Sequence, residues 1–235
     1  MFGHQITRRH WRLINGAAPH FKKKNEVDGE PALSETFLNY FTNPIAAEGS
    51  ELNRFSLPVT TETKELTSDM WKYKGNQRPE FAIEPKPGQE SVWDYPRPPE
   101  LVSDHRKIEV FSEDDVLIAR ASSSIRVLET ASPPTFYIAP DDLLLDLTPC
   151  DGASYCEWKG QASYFSYGNV KIAWRYDGPS ESFKQIDGWY SFYASLTRCF
   201  VDSERVQAQR GDFYGGWITQ EVVGPFKGDP GTLGW

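Results

Sequence analysis

Between Arg106 and Gln207, apolar and polar residues alternate with a period of two over several short stretches, the pattern of half-buried strands. "RKIEVF" puts Ile108 and Val110 on one face, and "VLIAR" (116–120) follows the polar turn "SEDD", which predicts a hairpin. "SIRVLE" (124–129) and "TFYI" (135–138) are the next strands, separated by "TASPP". "PDDLLLDL" (140–147) predicts a short helix, with Pro140 at its first position and Asp141 and Asp142 in the first turn, where the helix dipole favours negative charge. "QASYFSY" and "VKIAWRY" flank Gly168-Asn169, a two-residue hairpin loop. Such a loop sets Phe165 against Ile172, Tyr167 against Val170 and Ser163 against Trp174 on one side, with Tyr164 against Ala173 on the other. "WYSFYAS" (189–195) and the hairpin "CFVDSERVQ" (199–207) complete the strands. The dense run "CDGASYCEWKGQASYFSY" (150–167) therefore reads first as strand, with packing accounting for most of its rings.

This pattern predicts a mainly β fold: a compact domain of twisted antiparallel sheets with one short helix and long wrapping N- and C-terminal arms. Residues 1–69 read as a basic, then polar, N-terminal extension, with "SETFLNYF" (34–41) as a short helical turn. Residues 70–235 read as a single domain. Its proline-rich arm (78–99) suits extended chain laid over the surface, pinned by Trp93 and Tyr95. Its glycine-rich tail (211–235) reads as a wrapping segment anchored by Phe, Tyr and Trp.

Charge narrows the function classes. The first 24 residues carry six Lys or Arg and no acid, so the other 211 hold 19 basic against 33 acidic residues, a net of −14. An acidic body argues against nucleic-acid binding, which rests on neutralising phosphates. No apolar run reaches the ~18 residues of a membrane span. The basic leader has no Ser before position 34, unlike organellar targeting segments. Three cysteines without zinc-knuckle spacing fit free thiols in a reducing, cytoplasmic setting. Three of the four histidines lie in the leader, which leaves His105 alone in the body and disfavours Ser-His-Asp and zinc chemistry.

"ESVWDYPRPP", "RVLETASPPTFYIAPDD", "YCEWKGQASYF", "AWRYDGP" and "GDFYGGWITQEVVGPFKGDPGTLGW", in that order, resemble the bacterial family known as domain of unknown function 427, in its long form with the glycine-rich tail. The resemblance covers about residues 70 to 235. It implies a mostly antiparallel β domain. The family's alternative label, nucleotidyltransferase-like, implies nucleotide transfer. Many members carry an Arg where this chain has Ser123.

Candidate chemistry is sparse. Asp114-Asp115 and Asp141-Asp142 are acidic pairs of the kind that cap turns, no phosphate-binding glycine motif is present, and no cofactor is evident. Cys156 would be an activated nucleophile beside Lys159, but three residues apart on a strand the two point to opposite faces unless the chain bulges near Gly160. Arg126 stands inside an apolar strand and must be paired, solvated or ligand-bound. One reading is an Arg–carboxylate brace. The other is an aromatic pocket for a small anionic or polar molecule, lined by Arg126, Glu129, Tyr137, Tyr155, Trp158, Lys159 and Tyr164. In it Arg126 and Lys159 meet the anion, and Glu129 and Lys159 are the candidate catalytic groups. A rival reading is a non-catalytic interaction or self-assembly module, a homo-oligomer in the second case, that docks through its aromatic tail and proline arm. Nucleotide transfer is a third.

Overall fold

In the computed structural model, which describes residues 71–211, 213–232 and 234–235, the alternating stretches are strands. The expectations for residues 1–69 lie outside the described residues. The strands are β1 (Glu90–Ser91), β2 (Glu100–Asp104), β3 (Ile108–Phe111), β4 (Leu117–Ala121), β5 (Ser124–Glu129), β6 (Ser132–Tyr137), β7 (Thr148–Cys156), β8 (Gly160–Tyr167), β9 (Val170–Tyr176), β10 (Tyr190–Phe192), β11 (Arg198–Val201), β12 (Glu204–Arg205), β13 (Gln207–Ala208), β14 (Trp217–Ile218) and β15 (Val222–Val223). They form three antiparallel sheets, ordered β10-β9-β8-β7, β12-β11-β3-β4 and β2-β5-β6. Two small pairs, β13-β14 and the parallel β1-β15, fasten the tail.

The main core lies where the three sheets face one another. Ile108, Val110, Ile118, Phe136, Phe165, Phe192 and Trp217 are buried together there. Phe136 stacks on Trp217 with ring centres 4.9 Å apart. Burying each Phe of this set contributes roughly 1.5–3 kcal/mol before the opposing chain entropy. A second core covers the other face of β8 and β9 and holds Ile125, Val127, Tyr137, Trp158, Tyr164, Trp174, Tyr176 and Phe183. A third, around Trp93, seats the proline-rich arm.

The expected helix over 140–147 is only a 3-10 turn, Pro140–Asp142. Leu143, Leu145 and Leu147 are packed against the main core while Leu144 and Asp146 are exposed, so burial follows a period of two and the chain runs extended. A second 3-10 turn spans Glu181–Ile186. The 150–167 stretch is two strands rather than one, because Glu157, Trp158 and Lys159 turn the chain and Cys156 pairs with Gly160. Gly160 has φ +100°, a conformation open to glycine at little strain.

The Gly168-Asn169 loop is present, and Tyr167 pairs with Val170. A bulge between Phe165 and Ser166 then shifts the register by one, so Phe165 pairs with Ala173, Tyr164 with Trp174 and Ser163 with Arg175. β6 contains Pro133 and Pro134, which the sequence placed between strands. They are tolerated because β6 is an edge strand and a bulge between Val127 and Glu129 breaks its ladder.

The two arms join each other. β1 of the proline-rich arm pairs with β15 of the tail, Trp93 is fully buried, and its Nε1 donates to the Pro225 carbonyl at 3.1 Å. Trp217 is equally buried and donates to the Phe192 carbonyl at 2.9 Å. The tail's largest side chain is thus part of the core rather than free for docking.

Candidate functional site

Arg126 occupies the middle of β5. Its neighbours Ile125 and Val127 face the second core, so Arg126 points to the opposite side of the sheet. There its Nη1 donates to Glu90 and its Nε lies 3.2 Å from an Asp104 oxygen. Arg106 bonds Asp104 and Glu221. These five groups line a polar hollow of about 340 Å³ together with Gly88 and Gln89. Burial opposes the charge on Asp104, but hydrogen bonds from Arg106 and the nearby Arg126 outweigh it and hold the carboxyl below its usual range. The network ties β1, β2, β5 and the tail together, with two arginines matched by three carboxylates. That geometry is a brace.

Lys159 lies elsewhere. It sits in the β7–β8 turn, 8 % exposed, with its ammonium 5.7 Å from the Tyr176 ring centre and 5.5 Å from that of Phe183. The expected meeting of Arg126 and Lys159 does not occur. Lys159 does meet Cys156, because the turn brings both side chains to one side. Burial acts to lower the Lys159 pKa, but Cys156, Tyr137 and Glu129 more than offset it and the net shift is upward. Tyr137, fully enclosed, is pushed up to about 12 by burial, and its hydroxyl accepts from Trp174 Nε1 at 3.3 Å. Trp158 is also buried, and its Nε1 has no partner.

Glu129, at the end of β5, is the centre of a larger charged cluster. Arg97, whose side chain is fully buried, donates to Glu129 at 3.3 Å and to the carbonyls of Tyr73 and Thr130 at 2.9 and 2.8 Å. Its guanidinium lies 4.3 Å from the Trp71 ring centre. Lys227, 7 % exposed, places its ammonium 4.1 Å from the same ring and 3.3 Å from the Trp235 main-chain oxygen. Burial pushes Lys227 down to about 8, against the pull of Glu129 and Glu157. Glu157 accepts from Trp71 Nε1 at 2.9 Å, and burial raises its pKa.

Three enclosed cations, Arg97, Lys159 and Lys227, thus surround two carboxylates, Glu129 and Glu157. Among the described residues neither lysine reaches a side-chain carboxylate within 4.0 Å, and Lys227 has the Trp235 main-chain oxygen as its hydrogen-bond partner. Buried positive charge is costly unless an anion shares the space.

Of the sequence candidates, Glu129, Tyr137, Trp158 and Lys159 come together around this cluster, and Tyr164 belongs to the same core. Tyr164 is covered by Lys171, whose ammonium lies 4.1 Å from its ring centre. Tyr155 is 61 % exposed on the edge strand β7 and faces solvent, and Arg126 belongs to the brace. Arg97 and Lys227 were missed because each lies in a segment that reads as a wrapping arm, and Trp71 because it precedes the proline-rich arm, outside every strand pattern. The signal was a single basic residue set among rigid or aromatic neighbours, Arg97 between Pro96 and Pro98 and Lys227 between Phe226 and Gly228. The acidic pairs stay apart: Asp115 bonds Arg198, and Asp141 and Asp142 lie in a 3-10 turn.

The structure is that of a mainly antiparallel β protein with a buried, cation-rich cluster of side chains around Glu129. Residues 100–207, from β2 to the start of β13, match the family model described as Domain of unknown function (DUF427). No curated protein matches the chain. The family region contributes Glu129, Tyr137, Glu157, Trp158 and Lys159, whereas Trp71, Arg97 and Lys227 come from the flanking segments. No helix among the described residues is long and apolar enough to cross a membrane.

Proposed function

We propose that this protein binds a small anionic molecule at the charged cluster around Glu129. Arg97, Lys159 and Lys227 supply the positive charge, and Tyr137, Trp158 and Trp71 form aromatic walls. The observation that carries the reading is the gathering of three buried cations around Glu129 and Glu157, with neither lysine within 4.0 Å of a side-chain carboxylate. The unpartnered Trp158 indole N–H adds a donor suited to an anion's oxygen. Tyr137 and Trp158 are already locked by packing, which favours recognition of a fixed shape. The proposal concerns binding and assigns no reaction.

Thermal unfolding with succinate, sulfate or phosphate tests it. Saturation at a hundredfold excess over Kd adds about 2.7 kcal/mol, a rise of roughly 5–10 °C for a domain of this size. Lys159→Met and Lys227→Met are expected to remove the rise, with Lys227→Met leaving the ligand-free protein at least as stable as wild type below about pH 8, because an apolar side chain replaces an ammonium that burial disfavours. No rise with any of the three anions, or a large loss of ligand-free stability in both variants, would instead assign the lysines to bracing the fold.

A further inference from the structure

A second hollow opens on the far side of the 3-10 turn Glu181–Ile186. It has a volume of about 310 Å³, at the lower end of the ~300–1,000 Å³ typical of ligand sites. Ser103 and His105 reach it from the end of β2, Ser123 and Ser124 from the β4–β5 turn, and Gln185 from the 3-10 turn, with Trp189 as its aromatic wall. Phe183 of the same turn lies against Lys159, so the two sites share an element but no lining residue.

Three observations set this hollow apart. No Lys, Arg, Asp or Glu lines it, in contrast to the Glu129 cluster. Its five polar side chains, those of Ser103, His105, Ser123, Ser124 and Gln185, make no hydrogen bond within the described residues. Ser124 is 2 % exposed, and its Oγ is enclosed without a partner. A buried hydroxyl left unpaired carries a desolvation penalty that a ligand hydroxyl or a trapped water removes.

We infer that this hollow is a binding site for a neutral, hydroxyl-bearing ring, with the apolar face of the ring against Trp189 and its hydroxyls on Ser124, Gln185 and His105. An aromatic wall beside uncharged groups that both donate and accept matches the amphipathic faces of a sugar ring. Two sources share that chemistry, a free monosaccharide and the ribose of a nucleoside.

The test is saturation-transfer NMR on the full chain with D-glucose, D-ribose and adenosine as separate probes, each on wild type and on Ser123→Phe. Ser123 is exposed at the rim, so the Phe fills the hollow without entering the core. Transfer to the ring protons of at least one probe, weakened roughly tenfold or more in Ser123→Phe, is expected. A response to glucose or ribose identifies the free sugar, and a response to adenosine alone identifies the nucleoside. Trp189→Ala is the second variant, expected to abolish transfer. Its near-ultraviolet circular dichroism and melting curve show whether it is folded. The absence of transfer from all three probes, or transfer that both folded variants retain, overturns the inference.

Discussion

Lys227 shows how one residue turns geometry into a measurable quantity. Its folded pKa is depressed to about 8 from an ordinary 10.5. Between those values the unfolded chain binds the extra proton, so Lys227 makes stability rise with pH through that window. Below about pH 8 both states are protonated and the penalty of the buried charge is constant. Cys199, raised to about 12 from 9.0, acts in the opposite sense, but only above pH 9.0. The interval from about pH 8 to 9 therefore belongs mainly to Lys227. The stability of wild type relative to Lys227→Met, from urea unfolding at a series of pH values, should rise there with a slope approaching about 1.4 kcal/mol per pH unit. Parallel curves would mean that the Lys227 ammonium is solvated.

Residue type also decided how much of the site was legible. Lys159 and Trp158 stood out because a Trp-Lys-Gly step interrupts an aromatic strand pattern, and Glu129 because it ends one. Arg126 stood out for the same reason yet serves the brace, since alternation along β5 fixes its face but says nothing of the partners beyond it. Glu90 and Glu221, which meet that face, come from the two arms, 36 residues before Arg126 and 95 after it. No local pattern carries that information.

At the level of elements, strand existence followed from period-two alternation, and the misses have common causes. A β-bulge at Phe165/Ser166 moves the register without leaving a mark in the sequence. Edge position lets Pro133 and Pro134 sit inside a strand. The tail shows a strict local requirement. Gly228 has φ +128°, and a Cβ there would lie 2.1 Å from the Arg210 carbonyl oxygen. Gly228 also donates its N–H to Thr232 Oγ1 at 2.9 Å, directly after Lys227, whose own N–H donates to the Ala131 carbonyl at 2.7 Å. Gly228→Ala should cost at least about 2–3 kcal/mol in urea unfolding, from strain and collision together, and should weaken succinate binding as Lys227 shifts. Wild-type stability and affinity in that variant would show that the tail docks by a different backbone path.

On the scale of the whole molecule, the arms complete the domain. The family region alone, residues 100–207, lacks Trp93, Trp217, Arg97 and Lys227. Its flanks close both the third core and the charged cluster. The fold class was readable because burial periodicity is local. The site was readable only in part because its charge balance depends on segments brought together from more than a hundred residues apart. An acidic surface around an enclosed cationic centre also favours selectivity. On the proposed reading, long-range repulsion slows the approach of anions in general, and the buried cations reward one that fits.

The most direct measurement is anomalous diffraction from crystals of the full chain grown in selenate, a heavy tetrahedral anion. Anion binding at the cluster predicts a selenium peak among Glu129, Lys159, Lys227 and Trp158, absent from crystals of Lys159→Met. A peak at the Arg106–Arg126 brace alone, or no ordered selenate in the protein at all, would contradict it.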